Sequence, residues 1–267
     1  MQQRSMTVCT SGKGTNGKTL AVDGDVNLAA EDLQISGMSR AANVVINGVV
    51  SGNHSIFVYS STLTLAGTNT YTGATYATSN NATIEVTNPS GLGTSGAGTQ
   101  IGDGDSLEFN FASAQTVSEP LNVAGTGVSG TGAVVQTGAS TTLSGAIALA
   151  GDTTFGVDSS ALFSAFMLSG VISGTGNITV TTSPTTVVAN SSIQFTGASP
   201  NTYAGKLTVQ GVRFYPSKAA DVVAVTGDMD VLASEQQAID RRERRSMNRS
   251  QTRATCILSK TAATKQV

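Results

Sequence analysis

Tryptophan is absent from this 267-residue chain, aromatic residues make up only 5% of it and charged residues only 12%. So little aromatic material calls for an interior of small aliphatic side chains in a thin, regular core. Histidine occurs once, as His54 in "SGNHSI". A Ser-His-Asp hydrolase would have to use it, yet no G-x-S-x-G elbow presents a serine, so His54 reads as an exposed turn residue. The two cysteines, Cys9 and Cys256, sit near opposite ends and in no C-x-x-C pair. That spacing supports neither a zinc site nor a redox motif, and both read as free thiols. Long apolar runs are missing too. The longest strongly apolar one is "AIALA", Ala146 to Ala150, against the ~20 residues a membrane helix needs. The first residues, "MQQRSMTVCTSGKG", lack the ~7–15 apolar residues of a secretory signal.

The formal charge of −2 conceals a split. Residues 1–233 carry 7 basic and 14 acidic residues, whereas 234–267 carry 8 basic and 3 acidic ones. The chain therefore divides into an irregular segment (1–17), a repetitive body (18–233) and a basic tail (234–267). In the tail, Ser234 and Gln237 form a capping box, and "EQQAIDRRERRSM" could continue as a short helix. It has no apolar face to pack and no aromatic among its arginines to stack on bases. A solvated, mostly disordered end is expected, with no nucleic-acid partner. Its abrupt change of composition fits an out-of-frame end to the gene.

What the body has in abundance is glycine, threonine, serine, asparagine and β-branched aliphatics. Short runs such as "ANVVING" (42–48), "HSIFVYS" (54–60), "ATIEVTN" (82–88) and "NITVTT" (177–182) alternate apolar with polar residues. That period of two marks strands with one buried face. Turn residues arrive every 8–12 positions, and no amphipathic helix appears before residue 234. The fold is all-β.

Internal repetition selects the architecture. "GVVSGNHSIFVYS" (48–60) echoes "GVISGTGNITVTT" (170–182), and "LTLAGTNTYTG" (63–73) echoes "IQFTGASPNTYAG" (193–205). The echoes are offset by 122 and 132 residues, so about ten extra residues are tolerated between units. A stack of coils absorbs such drift, because each coil needs only its neighbours to bury its apolar face. The expectation is a right-handed parallel β-helix (β-solenoid). Val and Ile fill its interior, Thr and Ser line its outer faces, and Gly and Asn take its corners in left-handed conformations. Coils of ~22 residues would give about ten of them, in a rod of roughly 50 Å.

These same residues resemble the autotransporter-associated β-strand repeat. Gly170, Ile172, Ser173, Gly174 and Gly176 match the first half of that family's pattern. Leu63, Thr64, Leu65, Gly67, Asn69, Thr70, Tyr71, Thr72 and Gly73 match the second half, with Asn201, Thr202, Tyr203 and Gly205 as its other copy. The resemblance spans about residues 43–210. It implies a non-catalytic passenger, stalk- or adhesin-like, of a bacterial secreted or outer-membrane surface protein. Host surfaces or glycans would be its partners, no cofactor is implied, and a translocator barrel would sit elsewhere in the parent. The C-terminus "SKTAATKQV" lacks the alternating segments of such a barrel, so the chain reads as a fragment or the product of a shortened gene.

Other motifs are weaker. "SGKGTNGKTLAV" (Ser11 to Val22) fits the phosphate-binding pattern G-x-x-x-x-G-K-[ST] through Gly12, Gly17, Lys18 and Thr19. That chemistry needs a helix directly after the loop, whereas the residues that follow alternate like a strand. Lys18-Thr19-Leu20 therefore reads as a strand entry. Asp103 and Asp105 in "GDGDS" are spaced like the start of a calcium loop, but position twelve is Ala114 instead of Glu. They read as a turn, as do Asp23/Asp25 and Asp228/Asp230. Glu85 and Glu108 read as isolated acids. Were the chain instead a carbohydrate-active β-helix enzyme, Asp103, Asp105, Glu108 and Asp158 would be its first suspects; as a glycan-binding module it would bind glycans or host surfaces passively through its Thr/Asn ladders.

Overall fold

The structure is a computed structural model. It describes residues 19–37, 43–79, 81–157, 163–182 and 191–232, and the backbones of two further strands, Ser5–Cys9 and Cys256–Ile257. The chain winds as a parallel β-solenoid with three faces, visited in the order I, II, III. Every strand pairing among the described residues is parallel. Among the described residues the only helical turn is Val128–Gly130. The tail residues proposed for a capped helix, Ser234 and Gln237, lie outside the described residues. Cys256–Ile257 pairs beside Met229–Asp230.

Face I carries the longest ladder. It climbs through Thr19–Val22, Asn43–Ile46, Thr62–Leu65, Thr83–Val86, Ser106–Phe109 and Val134–Gln136. It continues through the second half of Ile147–Val157, then Ile178–Thr182, Leu207–Gln210 and Met229–Leu232. Alternation explains why. Leu20, Val44, Leu63, Ile84, Leu107, Val134, Phe155, Val180, Val209 and Val231 stack in register as one inward column. From Val44 to Val209 the column is at most 3% exposed, whereas Leu20 at its end is 40% exposed. The intervening residues (Thr64, Glu85, Glu108, Thr179) face outward.

The ladder takes steps as short as the 19 residues from Asn43 to Thr62 and as long as the 29 from Ile178 to Leu207. From Thr19 to Met229 the step averages about 23 residues, so the stack is slightly shorter than expected, about 43 Å at the ordinary strand spacing. Face III stacks Ser5–Cys9, Asp32–Ser36, Ile56–Tyr59, Thr75–Ala77, Thr99–Ile101, Leu121–Gly125, the first half of Ile147–Val157, and Ile172–Gly174. Face II is broken. Val26–Leu28 pairs with Val50–Gly52, while Gln115–Val117, Thr141–Leu143, Ala165–Leu168, Ser192–Phe195 and Arg213–Pro216 form a separate sheet.

The interior differs from the expected aliphatic core in one respect. Its largest fully buried side chains are aromatic: Tyr71, Tyr203, Phe109, Phe155, Phe166 and Phe195. Scarce as they are, the aromatics are concentrated where a wide three-sided coil needs filling. Some threonines are also inside instead of out, with Thr75, Thr99, Thr141 and Thr153 at 2% exposure or less. Their hydroxyls are satisfied locally, as where Thr141 Oγ1 donates to Ala139 O and Thr153 Oγ1 to Val123 O.

At the corners, coils approach so closely that only glycine fits. Gly151, Gly176, Gly205 and Gly227 form one column. A Cβ on Gly176 would lie 1.9 Å from Gly151 O, and one on Gly205 would lie 2.1 Å from Gly176 O. Nothing lies within 4 Å of a Cβ on Gly96. Gly176→Ala is therefore expected to lower stability by about 1–3 kcal/mol through overpacking. Gly96→Ala should stay within about 0.5 kcal/mol of the parent. Urea midpoints measured side by side check the contrast.

Candidate functional site

The two copies of Asn-Thr-Tyr-x-Gly adopt one geometry. Asn, Tyr and Gly point inward or pack at a corner, while Thr70 and Thr202 face solvent. Each asparagine is a buried staple across three coils. Asn69 Oδ1 accepts from Val50 N at 2.8 Å in the coil below, and its Nδ2 donates to Gly91 O at 2.6 Å in the coil above. Asn201 Oδ1 accepts from Ile172 N at 3.0 Å, and its Nδ2 donates to Ala224 O at 2.7 Å. Backbone bonds run alongside, from Thr70 N to Val50 O and from Thr202 N to Ile172 O.

Asn69 and Asn201 thus hold their corners by hydrogen bonding and not through the left-handed conformation expected of asparagine, which Asn81 does adopt. Among the described non-glycine residues it occurs at Ser60, Asn81, Ser129, Phe163 and Asp221.

The glycines of the repeat have matching roles. Gly67 lies over Gly48 O, Gly73 over His54 O, Gly170 over Gly145 O and Gly205 over Gly176 O, each with room for no Cβ. Gly174 and Gly52 share a positive φ, +111° and +108°, at which their backbones cross the coil beneath. Ser173, partly exposed, stacks in register on Ala148.

The copies nevertheless occupy different faces. Val50–Gly52 pairs on face II, but its counterpart Ile172–Gly174 pairs on face III. The offset of 122 residues is five coils and one further face. Of the ten additional residues of the second copy, eight fall between Ile178–Thr182 and Ser192–Phe195 and two between Phe195 and Asn201.

The tyrosines show what that rotation changes. Tyr71 OH hydrogen-bonds Thr75 Oγ1. Leu207 takes the place of Thr75 in the second copy, and there the buried Tyr203 hydroxyl makes no hydrogen bond of ordinary geometry among the described residues, with Thr226 beside it. Burial pushes the Tyr203 phenol up to about 12.

Of the acids suspected of catalysis, the three among the described residues do not converge. Asp105 is fully buried, with Oδ1 accepting from Ala82 N at 2.7 Å and Oδ2 from Ser79 N at 2.8 Å. It ties two coils together where the alternative was a cation loop. Asp103 is exposed at the same corner beside Gly125. Glu108 faces outward on face I, and Asp158 lies outside the described residues. Glu85 and Glu108, isolated in the sequence, are in-register neighbours on adjacent strands. Glu85 is held there by Thr64 Oγ1 and Asn110 Nδ2, each donating at 2.8 Å.

Asp23 accepts from Asn47 Nδ2 at 2.7 Å, Asp25 from Val49 N at 2.8 Å, and Asp230 pairs with Lys206 at 2.7 Å. All three acids are therefore inter-coil ties, Asp23 and Asp25 between strands and Asp230, expected in a turn, within the strand Met229–Leu232. Among the described residues no group of three or more potential ligands could hold a metal ion.

His54 is less free than a bare turn residue, since its Nδ1 lies 3.4 Å from Asp32 Oδ1, which also accepts from Ser55 N at 2.9 Å. Of the phosphate-loop pattern, residues 11–18 lie outside the described residues. A strand, not a helix, begins at Thr19. No described helix is long and apolar enough to cross a membrane.

One acid carried no signal in the sequence. Glu119, 5% exposed, has Oε1 accepting from Thr99 Oγ1 at 2.9 Å. Burial pushes its carboxyl up to about 7, with the Thr99 hydroxyl working against the shift. On the outside of face III, Phe57 and Tyr76 stack at 4.7 Å with planes 7° apart, and Tyr59 lies parallel beside Phe57.

The chain matches no family model, no curated protein and no solved structure. Fold and motif together define a β-solenoid repeat protein.

Replacing Asn69 by Ala would orphan a buried N–H and a buried carbonyl, at a cost of about 2–4 kcal/mol. The tyrosines should respond in opposite senses. Tyr71→Phe loses a hydrogen bond and about 1 kcal/mol, whereas Tyr203→Phe removes a hydroxyl with no ordinary hydrogen bond and gains about 1 kcal/mol. Denaturant unfolding of the three variants tests this.

Proposed function

We propose that the chain is a non-catalytic structural rod: a stalk-like passenger segment of a bacterial surface protein of the autotransporter kind its repeats resemble. One observation carries this reading. Both copies of the motif spend their distinctive side chains on joining coils, Asn69 and Asn201 each bridging the coil below to the coil above. A residue pattern used in this way supports length and stiffness. The acids add to the same reading, because Asp105, Asp23, Asp25 and Glu85 are engaged in inter-coil hydrogen bonds. Stacked coils resist bending because each shares a continuous core with its neighbours. A stalk works at the outer surface of the cell, holding adhesive or effector parts towards host surfaces or glycans.

The rival is a carbohydrate-active solenoid, and two experiments separate them. Fused between an outer-membrane anchor and a reporter domain, the chain should leave the reporter accessible to external protease. Incubated with acidic and neutral polysaccharides, it should release no reducing ends. Sustained turnover abolished by Asp103→Asn or Glu108→Gln would replace the stalk with an enzyme.

A further inference from the structure

The break in face II coincides with a buried polar column. The coils between Thr62 and Ser106 contribute no strand to that face. Inside them, Tyr71 OH meets Thr75 Oγ1, and Thr75 and Thr99 are register partners; Thr99 Oγ1 then donates to Glu119 Oε1 in the next coil, just past the strand Gln115–Val117 where face II resumes. All four side chains are at most 5% exposed. A carboxylate so placed needs a cation or several donors to remain charged. The sequence supplies no cation: between His54 and Lys206 there is not one lysine, arginine or histidine. The coil above lays Gly145 over the Glu119 backbone, and the coil below offers Thr99. Tyr71 is the titratable side chain whose charge couples to Glu119, and burial holds its phenol well above the usual range.

We propose that the column Tyr71–Thr75–Thr99–Glu119 is a proton-operated joint in the rod. With Glu119 protonated the coils around it close on one another; with Glu119 ionised the rod opens there first, on the strandless side. The direction follows from the sign of the shift. A carboxyl raised from 4.5 to about 7 on folding favours the closed state fully below the unfolded value. That contribution fades as pH rises through about 7. The joint therefore loosens towards alkaline pH, whether or not the rod serves as a stalk.

Hydrogen exchange of the intact chain, read as protection factors so that intrinsic exchange divides out, tests this. Between pH 5 and pH 8, protection in peptides covering 87–102 should fall by more than about tenfold, while 141–157 holds its value. In Glu119→Gln, which keeps an acceptor for Thr99 but cannot ionise, the local fall should vanish. In Thr99→Val, which removes the donor to the carboxylate, the midpoint should move to higher pH. This second variant keeps the test decisive if the first does not fold. A uniform loss across both peptides, no loss in the parent, or the same loss in Glu119→Gln would overturn the joint.

Discussion

Everything in this molecule depends on one spacing. Coils stacked at about 4.8 Å are close enough for every residue to have a counterpart directly above and below. No coil buries its own apolar face, so the core exists only as columns shared between coils. The inward column from Val44 to Val209 is continuous through strands whose sequence separations vary from 19 to 29 residues. Coil length can vary because extra residues leave at corners, while the strands stay in register.

The same spacing explains the chemistry of the corners. At that distance a Cβ on Gly176 or Gly170 would strike the carbonyl beneath it. Backbone groups that leave the ladder at a corner still need partners, and an asparagine carboxamide, with one acceptor and two donors, can serve coils on both sides. Asn69 and Asn201 do so with the same atoms, although they sit on different faces. The motif is thus a corner device that works wherever the chain turns. Polar interior groups are tolerated when locally satisfied, as in Thr141 and Thr153. Where the geometry falls short, as at Tyr203, a hydroxyl stays buried without an ordinary hydrogen bond.

Glu119 belongs to the same logic with a different outcome. It lies just past the face II strand Gln115–Val117, above two coils that contribute no strand to that face, and no base anywhere in the neighbouring coils can neutralise it. A carboxyl there is compatible with close packing chiefly in its neutral form, so local packing is tied to a proton. The aromatic stack on face III has no comparable consequence. Phe57 and Tyr76 lie parallel at 4.7 Å, so each covers a face of the other and their edges remain for solvent.

Much of this architecture was legible in the sequence, because alternation and repetition are local properties. Period-two runs fixed the strands, the echoing units indicated stacking, and Gly67, Asn69, Tyr71, Gly73 and their counterparts marked the corners. The coil length, assumed from the usual range of repeat periods, lies close to the average step. Pairings between residues some twenty positions apart were not legible. Which acids meet, as Glu85 and Glu108 do, is decided by the length of the intervening coil and not by either residue. Asp105 resembles the start of a calcium loop until the fold points it at the Ser79 and Ala82 amides. Glu119, in "VSEPLNV", has the look of an exposed turn, and only the winding of the chain buries it. The sequence by itself determined that strands would form and where they would bend. The stack alone decided which residues face one another, because every contact across coils depends on register, and register is a property of the whole rod.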